Sequence, residues 1–256
     1  MEARRVIPPL DPPAAIGHHR AMRPIAVPSL LAVATAVALS ACGPSIDAAA
    51  KADVDRRMAA LQAGSNAVPA PPPGMFAPMA LAVGQWTQYK MVNDKNEPSF
   101  MTYKVIGQDG DAVWLETVHD TYYGRTMQKM LVAFGNRMDP SQIQIRAIST
   151  KDAKGRVNEV PPPLISMLQS TYRGAISMMV INWQGLAQES ATVPAGRFDG
   201  CFKARTEAQF GTFKSTADSW SHPAVPLSGG VRSQGVDHQF TMELVAFGTS
   251  GAVSEF

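Results

Sequence analysis

Two cysteines are the most reactive side chains in this chain, and they stand in different sequence surroundings. Cys42 follows the small residues Ser40 and Ala41 at the end of an apolar run that begins at Pro24. Cys201 lies in a segment of β-strand composition and has no second cysteine to pair with once Cys42 is modified. Such a thiol is either a reactive group or a small buried hydrophobic side chain, and the second is more usual. Of the two cysteines, Cys42 is therefore the one whose surroundings indicate a chemical role.

The segment before Cys42 has the layout of a secretory signal. Basic residues ending at Arg23 precede the apolar run 24–41, which closes with small residues at a cleavage point. A membrane-spanning helix is the alternative, but it needs about 20 predominantly apolar residues, and this run is slightly shorter and contains Pro28. We interpret residues 1–41 as a signal peptide, with Met22 as a candidate for the true start.

The four residues Leu39-Ser40-Ala41-Cys42 resemble the lipobox of bacterial lipoproteins. In that family the cysteine thiol receives a diacylglycerol, the leader is removed before it, and the new N-terminus is acylated, commonly with palmitate. The resemblance implies that Cys42 is a lipidation site and that the protein contacts a membrane through this anchor. Gly43 at the next position, rather than Asp, implies a place in the cell envelope at the outer membrane, facing the periplasm.

Patterns for other chemistry are absent from the sequence. The histidines after the leader, His119, His222 and His238, lack the close pairing typical of zinc sites. There is no Gly-x-Ser-x-Gly motif and no Gly-rich phosphate-binding loop. Glu116 and Glu243 lie in strand patterns, which predicts that they face solvent. We therefore expect no catalytic residues, no metal and no cofactor, and hence no enzyme.

The charge balance excludes another class of partner. Removing the four basic and two acidic residues of the leader leaves 19 of each sign, so the mature chain is formally neutral. A neutral chain has no positive field to attract phosphate groups, and we expect no nucleic-acid partner.

Residues 42–80 form a distinct N-terminal region in the sequence. Asp47–Ala63 has helix-forming composition, with Val54, Met58 and Leu61 at helical spacing, and we leave open whether this helix packs or is frayed and solvated. The following stretch is dense in proline and favours extended polyproline structure. We interpret residues 42–80 as a lipidated N-terminus, a short helix and a Pro-rich linker. Such a linker would hold a domain some tens of Å from a bilayer.

Residues 81–256 have the pattern of a β domain. Short segments of strand composition alternate with turn residues, as in Gln142–Thr150, where Ile143, Ile145 and Ala147 are predicted on one face. After a proline run, residues 164–174 show helical spacing. We predict a mainly β fold: a strongly curved antiparallel sheet, or half-barrel, of about nine or ten strands with one inserted helix covering it. The predicted strands are 85–92, 99–106, 112–119, 125–134, 142–150, 189–193, 201–209, 211–220 and 239–247.

Several segments of this domain resemble uncharacterised envelope lipoproteins whose domains look like the half-barrels of the lipoprotein-carrier (LolA/LolB-like) group. The segments are residues 83–86, 192–198, 201–203, 220–231 and 242–248. Two of these segments have a plain physical role. Val193-Pro194-Ala195-Gly196 ends one strand and redirects the chain into the next, and Gly229-Gly230 permits a tight loop. The best-known members of the group bind acyl chains in an apolar cavity between sheet and helix.

The resemblance implies a function without catalysis. We expect a membrane-anchored envelope lipoprotein that binds or transfers a lipid or an acylated protein. The alternative is a structural or adaptor lipoprotein that binds an envelope protein through its sheet. Flexible methionines suit either an adaptable cavity or an irregular core. The predicted ligand cavity is lined by Met130, Val132, Leu164, Met167, Leu168 and Met179.

Overall fold

A computed structural model of the chain describes residues 45–135, 140–177, 182–210, 213–236 and 240–256. Over these residues the chain forms two α-helices and twelve β-strands. The helices are α1 (Ala48–Ala60) and α2 (Pro162–Ser177). The first six strands are β1 (Ala67–Val68), β2 (Trp86–Val92), β3 (Pro98–Asp109), β4 (Ala112–Thr121), β5 (Gly124–Ala133) and β6 (Gln144–Lys151). The other six are β7 (Val157–Glu159), β8 (Ala187–Val193), β9 (Gly196–Phe210), β10 (Phe213–Ser221), β11 (Gly230–Gly235) and β12 (Thr241–Gly248).

The described strands belong to one open, curved sheet. Its order is β1-β9-β10-β11-β12-β2-β3-β4-β5-β6-β7, and β8 pairs with β9 along that strand's other side. All pairs are antiparallel except the short β1–β9 pair. Hairpin turns join most neighbours, while β12 closes back on β2 and so unites the two halves of the chain. The predicted curved antiparallel sheet with an inserted helix is confirmed.

The sequence underestimated the number of strands. β1 and β7 span two and three residues, which is too short to show a period of two. β11 was missed because Val231 is its one strongly apolar residue, although Val231, Ser233 and Gly235 alternate inward and are buried. The strand predicted at residues 189–193 and the hairpin through Gly196 are confirmed.

One face of the sheet, here called the inner face, carries the core. Side chains from β3 to β6 pack with Ile165 of α2 and with Leu227 of the loop 222–229. A second group from β2, β8, β9, β11 and β12 surrounds Phe198, which is fully buried. Each fully buried aliphatic or aromatic side chain contributes about 1.5–3 kcal/mol to folding. These two clusters therefore hold the curved sheet around its inner face.

Helix α2 is fixed to the sheet at a bulge in β6. The register between β5 and β6 shifts between Leu131 and Val132, so Ile145 faces the inner cluster and Ala147 faces the other side with Leu131. Sequence alternation had placed Ile145 and Ala147 on one face, and the bulge makes that assignment wrong for Ala147. The Gln169 side chain of α2 accepts a hydrogen bond from the Ile145 N–H and donates one to the Ile143 carbonyl.

Helix α1 packs against the opposite, outer face of the sheet over β3 to β5. Its N-cap residue Asp47 accepts hydrogen bonds from the N–H groups of Ala49 and Ala50, both at 2.9 Å. The Asp47 N–H donates to the Tyr122 carbonyl at 2.9 Å, and the Val54 side chain is buried. The Arg57 guanidinium lies 3.9 Å from the centre of the Phe100 ring. Of the two possibilities that the sequence left open for this helix, the structure shows the packed one.

The Pro-rich segment (residues 64–80) also packs on the domain, where composition favoured an extended linker. Its β1 pairs with β9, the Gly64 N–H donates to the Val193 carbonyl, and the Phe76 carbonyl accepts from the Trp183 N–H. Residues 44–256 form one compact unit. A proline-rich backbone has few hydrogen-bond donors of its own, so contacts with β9 and Trp183 decide its path.

A network of charged side chains ties α1 and the C-terminal residues to the same outer face. Asp120 of β4 accepts hydrogen bonds from Arg57 at 2.8 Å and from Arg125 at 2.6 Å. Arg125 also donates to Glu255 at 2.8 Å. Glu255 in turn pairs with Lys104 of β3. Helix α1 and the C-terminal residues are therefore both held on strands β3 to β5.

Glu116 is the deepest member of this network, and its predicted exposure is wrong. Its side chain is fully buried because the C-terminal residues cover it. The carboxylate accepts hydrogen bonds from Ser254 at 2.6 Å, from the Glu255 N–H at 3.0 Å and from Lys104 at 3.1 Å. Burial raises the pKa of Glu116, but these donors outweigh it and leave the pKa below its ordinary value.

Glu243 stays partly accessible, as the sequence predicted for both glutamates, and pairs with Lys90 at 2.7 Å. The contrast with Glu116 arises outside the strands, since only Glu116 lies beneath a later segment of the chain. Strand periodicity carries no information about such a segment.

Replacing Lys104 by methionine tests the network. The Lys104→Met variant leaves the buried Glu116 carboxylate without its cationic partner, and removing one member of a buried pair costs about 3 kcal/mol or more. We expect a lower free energy of unfolding in urea and faster hydrogen exchange at Ser254 and Glu255.

The matched control is Lys203→Met, which removes a lysine from the exposed cross-strand pair with Glu189. Exposed pairs contribute little, so this variant should unfold close to wild type. Equal unfolding free energies for the two variants would contradict the assigned role of the network.

Candidate functional site

An apolar pocket of about 500 Å³ lies between the Pro-rich segment and the start of the loop 222–229. Its walls are mostly aliphatic side chains, prolines and methionines, and His222 is the ionisable residue among them. Pockets of about 300–1,000 Å³ with apolar walls are the usual size for a small-molecule ligand. The lining residues are Val68, Pro69, Ala70, Pro71, Pro72, Met75, Ala77, Pro78, Met79, His222, Pro223 and Ala224.

Aromatic side chains lie beside the residues that line this pocket. Trp183 stacks on Phe202 with ring centres 5.4 Å apart, and Phe76 meets Phe202 edge to face at 5.9 Å. Trp183 is almost fully buried, and its backbone N–H holds the Phe76 carbonyl at 2.9 Å. The Pro-rich segment is therefore fixed on both sides, by β9 at Val68 and by Trp183 at Phe76.

The loop 222–229 closes against the same tryptophan. Gly229 has φ +72°, and a Cβ there would lie 2.5 Å from the Trp183 ring, so only glycine fits. Leu227 takes φ +61°, an unfavourable conformation for leucine that its complete burial in the inner cluster compensates. The tight loop predicted at Gly229-Gly230 is confirmed, with the left-handed conformation at Gly229.

His222 connects the loop to the Pro-rich segment. Its Nδ1 accepts a hydrogen bond from the Ala224 N–H at 3.1 Å, so the neutral ring carries its proton on Nε2, which donates to the Pro69 carbonyl at 3.1 Å. The side chain is buried, and burial lowers the pKa of His222 below its ordinary value. Both ring nitrogens are thus already used in neutral His222, and the pocket offers a ligand little polar recognition.

The predicted cavity residues lie elsewhere, around α2. Met130 and Val132 are buried in the inner cluster, where Ile165 is the α2 residue that packs with them. Leu164 and Leu168 are partly buried, whereas Met167 is 54% exposed and does not face the cluster. Met179 lies outside the described residues. The structure therefore brings together two of the six predicted residues, Met130 and Val132, in a packed cluster.

The two cysteines have different outcomes. Cys42 lies outside the described residues, so its lipidation stays a prediction. Cys201 is fully buried among the inner side chains, and burial raises its pKa to about 12. A thiol of that pKa is almost never a thiolate at neutral pH, which confirms the interpretation as a buried hydrophobic side chain.

A second cavity, of about 340 Å³, lies beside the turn between β2 and β3 and the turn between β4 and β5. It is lined by Met91, His119, Tyr122, Tyr123 and Phe240, together with polar residues of the turn 93–97. The Nε2 atom of His119 is buried there without a hydrogen-bond partner, and burial lowers the pKa of His119. This cavity is smaller and more mixed in character than the pocket at the Pro-rich segment.

Two further observations concern metals and membranes. Among the residues that the structure describes, no group of three His, Cys, Asp or Glu side chains is arranged to hold a metal ion. Neither α1 nor α2 has the length and hydropathy that a helix needs to cross a bilayer.

No family model and no curated protein matches the chain. Among solved structures, it is similar to a lipoprotein candidate from Parabacteroides distasonis at 15% identity, covering 68% of this chain and 98% of that one, with a TM-score of 0.33. It is also similar to an exported-protein candidate with a YmcC-like fold from Bacteroides fragilis at 11% identity, with the same coverage and TM-score.

Sequence reasoning missed the walls of the apolar pocket. The Pro-rich segment looked like a linker because of its prolines, yet it also carries Met75, Phe76 and Met79. Large apolar side chains are unusual in a solvated spacer, and they were the available signal. Trp183 and His222 gave no local pattern for the pocket, since their hydrogen bonds to the Pro-rich segment join residues more than 100 positions apart.

The pH dependence of stability tests the role of His222. Its folded-state pKa lies below the unfolded value of about 6.5, so the unfolded chain binds the proton first as the pH falls. The free energy of unfolding is therefore full above that value and decreases as the pH drops through it. A protonated ring also loses the hydrogen bond from the Ala224 N–H. We expect this decrease in urea titrations between about pH 7 and pH 5.

The control for that titration is His222→Gln, because the amide can accept from Ala224 and donate to Pro69 without titrating. Its unfolding free energy should vary less with pH than that of wild type. Superimposable pH profiles for the two proteins would rule out His222 as a contributor.

Proposed function

We propose that this protein is a membrane-anchored lipoprotein of the cell envelope that binds an acyl chain, free or attached to a protein, without catalysing a reaction. The anchor would be the lipid on Cys42, and the binding site would be the apolar pocket at the Pro-rich segment. The observation that carries the proposal is this pocket's combination of size and composition. The outer membrane, facing the periplasm, is the location that Gly43 favours.

The chemistry of the pocket favours hydrocarbon over a polar ligand. Each methylene that leaves water for an apolar wall contributes about 0.8 kcal/mol. The one ionisable lining residue, His222, already uses both ring nitrogens within the protein. A polar ligand would lose its hydration without new partners, which costs free energy. Methionines such as Met75 add side chains that adapt to chains of different length.

A second candidate function, an adaptor for an envelope protein, is favoured by the sheet edge. Strand β7 ends the sheet order, and its three residues are all exposed. An open edge of this kind can pair with an extended segment of another protein. Its short length limits the pairing, so we place the acyl-binding function first.

Blocking the apolar pocket tests the first function. The Ala77→Trp variant places a large side chain at the pocket wall, so the affinity for a fluorescent palmitic acid analogue should fall by about tenfold or more, equivalent to about 1.4 kcal/mol. A diacylated lipopeptide that competes with the analogue would extend the function to acylated proteins.

The matched control is Ala82→Trp, an exposed alanine outside the pocket, which should bind like wild type. No binding of the analogue by wild type, or equal binding by the Ala77→Trp variant, would contradict the proposal.

A further inference from the structure

Several turns of the sheet and the start of α1 lie at the same end of the domain. Strand pairing places three described turns together at that end, here called the turn end: residues 93–97, 122–123 and 152–156. Val236 after β11 and Phe240 before β12 lie at the same end. The Asp47 N–H donates to the Tyr122 carbonyl, which fixes the beginning of α1 there as well.

Helix α1 begins at this end, and its N-cap residue Asp47 comes only five residues after Cys42. An extended chain spans at most about 3.6 Å per residue, so five residues reach about 18 Å at most. Strand β4 has ten residues and, at about 3.3 Å per residue, is about 33 Å long. A lipid on Cys42 therefore cannot hold the opposite end of β4 at the bilayer while the turn end points into water.

The side chains exposed at the turn end suit a membrane surface. Ile46, Tyr123, Val157 and Val236 are large apolar or aromatic residues that stay exposed in the domain. Tyrosine is enriched where membrane meets water, because its ring is apolar and its hydroxyl can stay hydrated. Tyr123 has this arrangement, with its hydroxyl donating to Glu97 at 3.2 Å.

Charge at the turn end is close to balanced. The described turns carry the basic residues Lys95, Lys154 and Arg156 and the acidic residues Asp94, Glu97 and Asp152, and the sequence between β11 and β12 adds Asp237 and His238. A balanced surface gains little from anionic headgroups, in contrast to a polybasic one. The contact would therefore depend on the anchor and on apolar side chains, and we expect it to persist at high salt.

We propose that the turn end is the membrane-contacting surface of the protein, seated on the bilayer that holds the Cys42 lipid. This inference rests on the lipidation in the proposed function. It also places the apolar pocket away from the membrane. β1 pairs with the start of β9, and His222 follows the end of β10, so the pocket lies at the end of the sheet opposite the turn end. An acyl ligand would then enter from the aqueous side.

Fluorescent labels on single introduced cysteines test this orientation. The full chain, purified with its lipid and checked for modification of Cys42 by intact mass, is reconstituted in vesicles of phosphatidylethanolamine and phosphatidylglycerol. Val157→Cys and Tyr123→Cys report on the turn end. Acylated Cys42 cannot react, and Cys201 is buried with a pKa of about 12, so labelling is selective. Nitroxide-labelled phosphatidylcholine in the vesicles serves as the quencher.

The matched control is Val83→Cys, because Val83 is 51% exposed and Val157 is 53% exposed, but Val83 precedes β2 at the opposite end. We expect several-fold stronger quenching at positions 157 and 123 than at position 83. Equal quenching, or stronger quenching at position 83, in protein whose Cys42 is lipidated would overturn the orientation alone. An unmodified Cys42 would overturn the proposed anchor and this inference with it.

Discussion

The ion-pair network on the outer face is the interaction on which the arrangement of the domain depends. Arg57 of α1 and Glu255 near the C-terminus are more than 190 residues apart, yet Asp120 and Arg125 connect them on neighbouring strands. Lys104 and Glu116 extend the network under the C-terminal residues. Because Glu116 has no access to solvent, its charge needs these donors, and their loss would leave an unpaired charge in the protein. The network therefore fixes α1 and the C-terminal residues relative to the sheet.

Because α1 is fixed to the sheet, a lipid on Cys42 would restrict how the domain is oriented on the membrane. An anchor on a long flexible linker would leave the domain free to rotate, whereas α1 begins a few residues after Cys42 and is bound to the sheet at Tyr122. The Pro-rich segment follows α1 and forms one wall of the apolar pocket. A segment that composition would assign to a spacer is thus part of the proposed binding site. The start of α1 and the proposed pocket lie at opposite ends of one sheet.

Sequence reasoning predicted the fold but not the apolar pocket, for physical reasons. Strands with alternating apolar residues, such as β2 and β4, were found because one buried face imposes a period of two. β11 was missed because its inward residues include Ser233 and Gly235, and the bulge at β6 shifted Ala147 to the other face. Both depend on neighbouring strands, which local patterns do not contain.

The apolar pocket was not predicted, for a related reason. The prediction placed the ligand under α2, by resemblance, and there Met130 and Val132 pack against Ile165. The apolar pocket instead depends on contacts such as Trp183 with Phe76 and His222 with Pro69, which join segments distant in sequence. The burial of Glu116 is the same kind of case, since a later segment covers it. Local patterns established which residues form strands, and long-range contacts decided which of them form a site.

Native mass spectrometry of the protein, extracted from membranes in mild detergent, examines the anchor and the bound ligand in one experiment. We expect a chain that begins at residue 42, carries a diacylglycerol, and retains a further acyl-containing lipid that is lost on unfolding. A chain with an unmodified residue 42 and its leader still attached, and with no bound lipid, would contradict this expectation.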